Sequence, residues 1–442
     1  MHNKKEIIGR LIQDFLQKPI RRVLPRKQRI VFNKKLRKVH TVIWPRRAGK
    51  SYFCYQTISQ LLKQGVKKED ILFFNLETDE VDIVDTRDLN LILEVFFEIV
   101  WYDEKRQYYI FLDEIQNIRW WEKFVRKVLD NFDNIELVIT WSSSKLLSKE
   151  IATSLRWRSL IYEIFPLSFD EFLQWTDLKK KYLSTAEKIK FNRFKNNFLN
   201  WWSFPEIVIA EYSDEINKIL KDYFDLIFYK DVIERYGFKD IKKLKDFRRY
   251  LLSFVGDFFS FSNIEKKLWV TYKTLQNWFE AFESAFLVFE LKKFSFSILR
   301  QQRSNSKIYI VDNWFYTLLF GHYKQDWGKL FENLVFLELR KAWLIENENI
   351  FYYKDTSFDI DFMIFKNWKI LPVQVVYTLT EENYEREVVK LQRFVEKFNL
   401  EKWLVVVFEG EKRRSDNVEI VWFNDFIDYV FDYLGEYLEY RS

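Results

Sequence analysis

The residues best suited to chemistry are Gly49, Lys50 and Ser51, which stand in that order between an apolar run and a helical pattern. In the pattern G-x-x-x-x-G-K-[ST], backbone N–H groups cradle nucleotide phosphates, the lysine reaches the β- and γ-phosphates, and the hydroxyl holds Mg²⁺. The first glycine of the pattern is replaced here by a tryptophan. We predict a nucleotide-binding loop made of Trp44, Pro45, Arg46, Arg47, Ala48, Gly49, Lys50, Ser51 and Tyr52.

A pair of carboxylates, Asp113 and Glu114, ends the apolar run at 108–112. A carboxylate at the carboxyl end of a buried strand lies beside the phosphates and can hold Mg²⁺ through water, and the next carboxylate can polarise the attacking water. The sequence therefore predicts Ser51 and Asp113 as magnesium ligands and Lys50 and Glu114 as catalytic residues.

Three more polar residues follow the next strand-like run, at 135–140. Ser142 could contact the γ-phosphate as a sensor, or it could cap the next helix together with the two serines after it. Arg156 and Arg158 could supply positive charge to a phosphate, either within the chain or from a neighbouring subunit. A surface salt bridge is the other interpretation of these two arginines.

The elements that must position these residues predict an α/β fold. Apolar runs with the length of buried strands alternate with segments of helical spacing: 39–43, 51–62, 71–74, 88–102, 108–112 and 135–140. The two motifs each fall at the end of a predicted strand, with strand–helix units between them. This order makes the pair far more specific than either motif alone.

Tryptophan is unusually frequent and glycine unusually rare, because the 442 residues contain 17 Trp and 9 Gly, whereas glycine is ordinarily about 7% of residues. Some lineages read the codon UGA as glycine, and a reading of that codon as tryptophan would produce this pattern. We therefore predict glycine in the living cell at several positions that favour it: Trp44, Trp141, Trp157, Trp269 and Trp368. The alternative is an aromatic-rich chain with genuine tryptophan, as we expect on the apolar faces of Trp121, Trp278, Trp403 and Trp422.

Length and composition indicate a globular protein of two to four domains. The chain is 48% hydrophobic and 31% charged, which excludes a disordered protein. It has no run of about 18 uncharged apolar residues and no signal-peptide core near residue 1, so we expect a cytoplasmic protein without a membrane span. One cysteine, Cys54, excludes internal disulfides, and with three histidines it gives no zinc-ligand spacing.

The net charge of +6 is unevenly distributed. A basic cluster lies within residues 18–38: Arg21, Arg22, Arg26, Lys27, Arg29, Lys34, Lys35 and Arg37. Such a cluster could grip a nucleic-acid backbone, or it could be a solvated lead-in to the first strand.

Five short segments, taken in order, resemble a large prokaryotic family of AAA-type P-loop ATPases with a C-terminal domain similar to PD-(D/E)xK nucleases. The segments are Pro45-Arg-Arg-Ala-Gly-Lys-Ser51, Leu112-Asp-Glu-Ile-Gln116, Thr140-Trp-Ser-Ser-Ser-Lys-Leu-Leu147, Ser154-Leu-Arg-Trp-Arg158 and Phe165-Pro-Leu-Ser-Phe169. In that family the positions of Trp44, Trp141 and Trp157 are glycine. The resemblance, from about residue 20 to 425, implies an AAA+ core at 1–166, a helical lid at 167–235, a winged-helix-like module at 236–310 and a restriction-endonuclease-like α/β domain at 311–442.

Residues 262–279 have helix-turn-helix spacing, with Trp269 at the turn and Thr271 capping the second helix. On the exposed side of that helix we expect four residues that could face a DNA groove: Tyr272, Lys273, Gln276 and Asn277. The alternative is an internal packing module that links two domains.

The nuclease-like domain requires a helix glutamate, a strand-end aspartate and Glu-x-Lys on the next strand, where the carboxylates hold metal and the lysine activates water. Glu332 and Asp361 match the first two positions, but Gln374 replaces the acidic ligand and Val376 replaces the lysine. We therefore predict a degenerate nuclease fold that is retained for binding DNA or a partner. A purely structural α/β domain is the alternative.

Together these features predict an AAA+ ATPase that binds ATP with Mg²⁺ and hydrolyses it. Coupling to DNA or to a protein partner through the C-terminal half is expected, as is assembly into a homo-oligomer. One alternative is a non-catalytic nucleic-acid-binding or regulatory protein that is switched by ATP. The other is an ATP-gated nuclease.

Overall fold

A computed structural model of the protein describes residues 2–33, 35–44, 46–142, 155, 157–178, 184–200, 203–209, 215–321, 326–409, 414–415 and 418–435. Pro45 and Arg156 therefore lie outside the described residues. The chain forms two compact units, Met1–Pro166 and Leu167–Ser442. Within the described ranges, no helix is both long enough and apolar enough to cross a bilayer.

The first unit is an α/β layer structure. Its helices are α1 His2–Gln17, α2 Lys50–Lys63, α3 Thr86–Val100 and α4 Trp121–Asn131, and its strands are β1 Val39–Ile43, β2 Ile71–Asn75, β3 Tyr108–Asp113, β4 Ile135–Trp141 and β5 Ser159–Glu163. The strands form a sheet in the order β2-β3-β4-β1-β5, and every neighbouring pair is parallel. Every residue of β1, β3 and β4 is buried, as expected for parallel strands covered on both faces.

The strand order brings the predicted motifs to one edge of this sheet. Because the strands are parallel, their carboxyl ends lie together. Strand β4 lies between β1 and β3, with Ile43 opposite Trp141 and Leu112 opposite Ile139. The loop after β1, the carboxylates at the end of β3 and Ser142 after β4 are therefore neighbours.

The strands predicted at 39–43, 71–74, 108–112 and 135–140 are confirmed, since long apolar runs in a parallel sheet leave little ambiguity. The helix predicted at 88–102 is displaced to Thr86–Val100. It begins earlier because Asp85 and Asp88 form a capping box, and it ends earlier because Trp101 adopts the left-handed conformation.

The second unit combines helices with two further sheets. Its helices are α5 Phe169–Trp175, α6 Thr185–Asn200, α7 Pro205–Ile209, α8 Ile216–Leu226, α9 Ile241–Ser253, α10 Phe261–Leu268, α11 Tyr272–Ser284, α12 Ile298–Arg303, α13 Trp314–Phe320, α14 Trp327–Lys341, α15 Glu381–Tyr384, α16 Lys390–Lys397 and α17 Phe426–Leu434. Its strands are β6 Phe258–Phe259, β7 Val288–Leu291, β8 Ser306–Ile310, β9 Ile350–Lys354, β10 Asp359–Lys366, β11 Lys369–Thr378, β12 Trp403–Glu409, β13 Arg414–Ser415 and β14 Val418–Trp422.

The smaller sheet of this unit has the order β6-β8-β7 and is antiparallel. The larger sheet has the order β13-β14-β12-β11-β10-β9. In it β9, β10 and β11 are antiparallel neighbours, whereas β11, β12 and β14 run parallel. The predicted cap at Thr271 is confirmed, because its side chain accepts from Thr274 N. Ser168 caps α5 in the same way, since its side chain accepts from Glu171 N.

Candidate functional site

The phosphate-type loop leads directly into α2. Gly49 has φ = 99°, a left-handed conformation that favours glycine. Lys50 is the first residue of the helix and is buried. Its Nζ donates to the Trp44 carbonyl at 2.8 Å and lies 3.7 Å from Glu114 Oε1. The ammonium is therefore placed between the start of the loop and the carboxylate that follows β3.

Asp113, at the end of β3, is buried and accepts two hydroxyl hydrogen bonds. Ser51 Oγ donates to its Oδ2 at 2.6 Å, and the Thr140 hydroxyl donates to its Oδ1. Burial raises the pKa of this carboxyl, and the nearby charge of Glu114 raises it further. A carboxylate and a serine hydroxyl in contact are oxygen donors of the kind that Mg²⁺ takes. The donor chemistry at Ser51 and Asp113 therefore fits the metal.

Glu114 is held by its backbone and by its side chain. Its φ is 61°, and its N–H donates to Thr140 Oγ1 at 2.9 Å. Burial alone would raise the pKa of this carboxyl, but the Lys50 charge and the hydrogen bonds from Ser142 and Gln116 outweigh burial and lower the pKa below its ordinary value. Glu114 is therefore an ionised carboxylate near neutral pH, as a group that orients or deprotonates water must be.

Gln116 connects this carboxylate to the predicted sensor. Its Nε2 donates to Glu114 Oε2 at 2.6 Å and to Ser142 Oγ at 2.9 Å. Its Oε1 is buried and accepts no hydrogen bond among the described residues. An unsatisfied buried acceptor beside an ionised carboxylate is a position that a water or a substrate hydrogen could fill. The predicted helix-capping alternative for Ser142 involves serines outside the described residues.

The other predicted loop residues differ in exposure and contacts. Both Nη atoms of Arg46 donate to Glu77, at 3.0 and 3.2 Å, and Asn117 Nδ2 donates to the same carboxylate at 2.8 Å. Arg47 is exposed with φ = 69°, and Tyr52 is 50% exposed on α2. Ala48 is fully buried.

Trp44 is accommodated in a way that the sequence did not predict. Its side chain is fully buried, and its ring centroid lies 3.7 Å from that of Phe165. Neither Trp44 nor Trp141 is among the described residues with positive φ. The φ angles at these two positions therefore do not require glycine, and glycine there stays a prediction.

Arg158 lies at the amino-terminal ends of the strands, whereas the loop lies at their carboxyl ends. Its carbonyl accepts from the N–H of Val39, the first residue of β1, at 2.9 Å, and its guanidinium pairs with Asp130. A five-residue strand is about 16 Å long, so Arg158 cannot serve a phosphate within its own chain. The Arg158 guanidinium therefore forms a surface salt bridge within its own chain, and a role toward a phosphate of a neighbouring subunit stays a prediction.

Sequence reasoning missed several positioning residues. Thr140 joins Asp113 to the backbone of Glu114, and Arg26 of the basic cluster donates to Ala48 O at 3.3 Å and to Phe165 O at 2.6 Å. The spacing of the chain gives no signal for either contact, because each depends on which strands become neighbours. For Arg26, the contact places one member of the basic cluster against the loop.

The predicted nuclease-like residues lie in the second unit. Glu332 on α14 and Asp361 on β10 are brought together, but between them lies Lys307, which sequence reasoning did not identify. Its Nζ is 2.8 Å from Glu332 Oε1 and 3.2 Å from Asp361 Oδ1. Gln374 Nε2 donates to Glu387 Oε2 at 3.1 Å, and Val376 belongs to a buried apolar cluster.

The predicted DNA-facing residues belong to α11. Tyr272, Lys273, Gln276 and Asn277 are all exposed. Trp269, between α10 and α11, has φ = 52° and is 87% exposed. The sequence therefore correctly predicted the turn, the cap and the exposed side of this helix pair.

Two family models match parts of this chain, and one of them describes a known kind of domain. A model described as an AAA domain matches residues 36–173, and a model of a domain of unknown function matches residues 198–325. An uncharacterized protein of Methanocaldococcus jannaschii is 37% identical over 396 residues, which is 88% of this chain and 82% of the relative. An uncharacterized protein of Haemophilus influenzae is 29% identical over 391 residues, covering 86% and 92%.

Two solved structures show weak similarity. Caenorhabditis elegans PCH-2 has a TM-score of 0.25 and 13% identity, over 51% of this chain and 61% of its own. A DNA polymerase III gamma subunit-related protein of Thermotoga maritima has a TM-score of 0.22 and 12% identity, over 76% and 99%. Scores this low support no inference about this chain.

Proposed function

The chain belongs to the family of the uncharacterized Methanocaldococcus jannaschii protein and carries an AAA domain, and from this premise we propose that it binds ATP with Mg²⁺ and hydrolyses the ATP. One observation supports the proposal above all. Lys50, Ser51, Asp113 and Glu114 converge at the carboxyl edge of a parallel sheet, where hydrogen bonds and an ion pair connect them. That edge is where ligands bind in open α/β sheets.

Each of these side chains has a separate role in the proposed reaction. Lys50 contributes its ammonium to the β- and γ-phosphates. Glu114, kept ionised by Lys50, orients the attacking water and accepts its proton, and Gln116 fixes the position of that carboxylate. Ser51 and Asp113 would hold Mg²⁺, which when bound neutralises phosphate charge. Ser142 is placed by Gln116 to sense the γ-phosphate.

The rival interpretation is an ATP-switched binding protein that does not catalyse hydrolysis. The hydrogen-bonded position and lowered pKa of Glu114 support catalysis, because a purely binding site needs no ionised carboxylate beside the phosphates.

Two substitutions test the proposed roles in protein that carries glycine at position 44 and, in parallel, in protein that carries tryptophan there. Lys50→Ala should reduce ATP affinity or turnover by about 100-fold, as expected when one charged donor is removed from a phosphate site. Glu114→Gln should retain ATP binding but lose turnover by about 100-fold or more. Phosphate release and calorimetric ATP binding are the measurements.

Lys63→Ala is the matched control, because Lys63 is an exposed lysine at the other end of the same helix. It should leave turnover and affinity unchanged. Unaltered turnover in both Lys50→Ala and Glu114→Gln would refute the assigned roles. ATP binding without turnover in every form would favour the switch.

We infer a second function for the module built from α9–α11 and β6–β8. Along the chain the order is α9, β6, α10, α11, β7 and β8, and the three strands form an antiparallel sheet of order β6-β8-β7. This order matches the arrangement of a winged helix, and the exposed side of α11 carries the side chains that such a helix presents to DNA. We propose that duplex DNA bound there stimulates ATP hydrolysis. The six-stranded sheet with α14 would be the nuclease-like domain that the resemblance implies. Helices α5–α8 would form the helical lid that follows the AAA+ core.

A further inference from the structure

A buried cluster of charges lies where the resemblance places a metal-dependent nuclease site. Lys307 on β8 is buried, and its Nζ donates to Glu332 Oε1 at 2.8 Å and to Asp361 Oδ1 at 3.2 Å. Two carboxylates that converge on one point normally require a cation between them, because like charges at such a separation repel. Here the cation is a side chain of the same chain.

The remaining contacts of the two carboxylates are also internal. Tyr309 donates its hydroxyl to Glu332 Oε1 at 2.6 Å, and the N–H of Val375 donates to Asp361 Oδ2 at 3.0 Å. Each carboxylate is therefore bound by the ammonium and by one further donor. Reorienting either carboxylate toward a metal would break a buried hydrogen bond.

With Lys307 in place, the cluster does not offer a divalent cation the ligands that it needs. Mg²⁺ in such a site needs several oxygen ligands in near-octahedral geometry. Within the described ranges no group of three or more His, Cys, Asp or Glu side chains could hold a metal ion. Gln374, at the third ligand position, donates to Glu387 instead, and Val376 provides no donor.

We propose that the Lys307 ammonium is the permanent cation of this cluster and takes the place of the divalent metal. The second unit then cannot activate water for phosphodiester cleavage at this position, because both carboxylates are bound to Lys307. The cluster instead fastens β8 of the three-stranded sheet to α14 and to β10 of the six-stranded sheet. This inference is independent of the proposed ATPase activity, which concerns the first unit.

The test measures Mn²⁺ binding to the full chain by calorimetry, with the wild type, Lys307→Ala and Glu332→Gln/Asp361→Asn compared. With Lys307 present, Glu332→Gln/Asp361→Asn should bind Mn²⁺ as the wild type does. Lys307→Ala removes the resident cation and should add one Mn²⁺ site, at least tenfold tighter than any that the wild type has at these carboxylates. Adding Glu332→Gln/Asp361→Asn to Lys307→Ala should abolish the gained site.

Lys354→Ala is the matched control, because Lys354 pairs at the surface with Asp359 at 2.6 Å. It should create no new Mn²⁺ site. The proposal is overturned if the wild type binds Mn²⁺ and loses it in Glu332→Gln/Asp361→Asn, or if folded Lys307→Ala gains no site.

Should Lys307→Ala fail to fold, the comparison of the wild type with Glu332→Gln/Asp361→Asn still decides. Equal Mn²⁺ binding in those two proteins supports the internal cation, and Mn²⁺ binding lost with the carboxylates refutes it. A metal-dependent cleavage of duplex DNA that disappears in Glu332→Gln would refute it as well.

Discussion

At the scale of single residues, the most unusual feature is a set of tryptophans in the left-handed backbone conformation. Six have φ between 52° and 66° and are between 49% and 93% exposed: Trp101, Trp120, Trp157, Trp269, Trp343 and Trp368. Four of these adjoin helix ends, where glycine is the usual residue in this conformation. A bulky side chain there costs about 1–2 kcal/mol and buries little surface in return.

These angles support glycine at three of the positions singled out from the sequence, namely Trp157, Trp269 and Trp368, and add three that the sequence did not suggest. We predict that protein isolated from its own host carries glycine at all six positions. Peptide mass spectrometry measures this directly, with the buried Trp121 and Trp278 as positions that should remain tryptophan. If the host-derived protein carries tryptophan at positions 269 and 368, the prediction is contradicted.

The same prediction can be tested with recombinant protein. Trp269→Gly should raise the free energy of unfolding by about 1 kcal/mol, because it relieves a left-handed indole. Trp278→Gly, in the interior of α11, should instead lower it by about 3–5 kcal/mol, since a buried aromatic side chain is lost. Chemical denaturation monitored by circular dichroism compares the two.

At the scale of elements, α6 is fastened to β12 by a buried lysine. Lys195 Nζ donates to the Phe408 carbonyl at 2.8 Å and lies 4.2 Å from the centroid of the Phe408 ring. Burial lowers the pKa of Lys195 to about 8. The folded protein therefore carries this charge at a cost that disappears when the lysine is neutral.

The free energy of unfolding should consequently vary with pH in the alkaline range, because Lys195 titrates there. Between pH 8 and the ordinary lysine value the unfolded chain binds more protons than the folded one, so stability attributable to Lys195 rises with pH in that window. The free energy of unfolding of Lys195→Met minus that of the wild type should fall by about 3 kcal/mol from pH 7 to pH 11. Urea titrations at both pH values measure the difference, and an exposed lysine on the same helix, Lys188, provides the control as Lys188→Met. A pH-independent difference would show that Lys195 is not desolvated.

The elements show why part of the molecule could be predicted from sequence and part could not. Long apolar runs gave β1 to β4, because length and periodicity act locally. Strand β5, Ser159–Glu163, was not predicted, since its residues are half-buried and show no strong pattern. Lys50, Ser51, Asp113 and Glu114 carry local motifs and were predicted. Contacts across non-consecutive strands, such as those of Thr140 and Lys307, depend on tertiary neighbours that no spacing encodes.

At the scale of the whole molecule, the proposal assigns ATP turnover to the first unit and DNA binding to the second. Duplex DNA should therefore stimulate ATP hydrolysis, and the stimulation should decline as salt rises from 50 to about 200 mM, because phosphate contacts release counterions. Lys273→Glu on α11 should abolish the stimulation while leaving basal turnover unchanged. Phosphate release with and without a duplex oligonucleotide is the measurement.

Lys188→Glu is the control for charge alone, because Lys188 is exposed on a helix outside the proposed DNA-binding module. It should retain the stimulation. If Lys273→Glu and the wild type respond identically to DNA, the helix pair serves only for internal packing, as the alternative interpretation of these residues holds.

The contact between the Lys50 ammonium and the Trp44 carbonyl has a consequence for recognition. An arriving triphosphate must compete with that carbonyl for the same ammonium, so its entry is an exchange of partners and not a simple addition. Net affinity is then a small difference between two strong attractions. A slight shift of the main chain at the first position of the loop, whichever residue the cell places there, should therefore alter the affinity for a triphosphate.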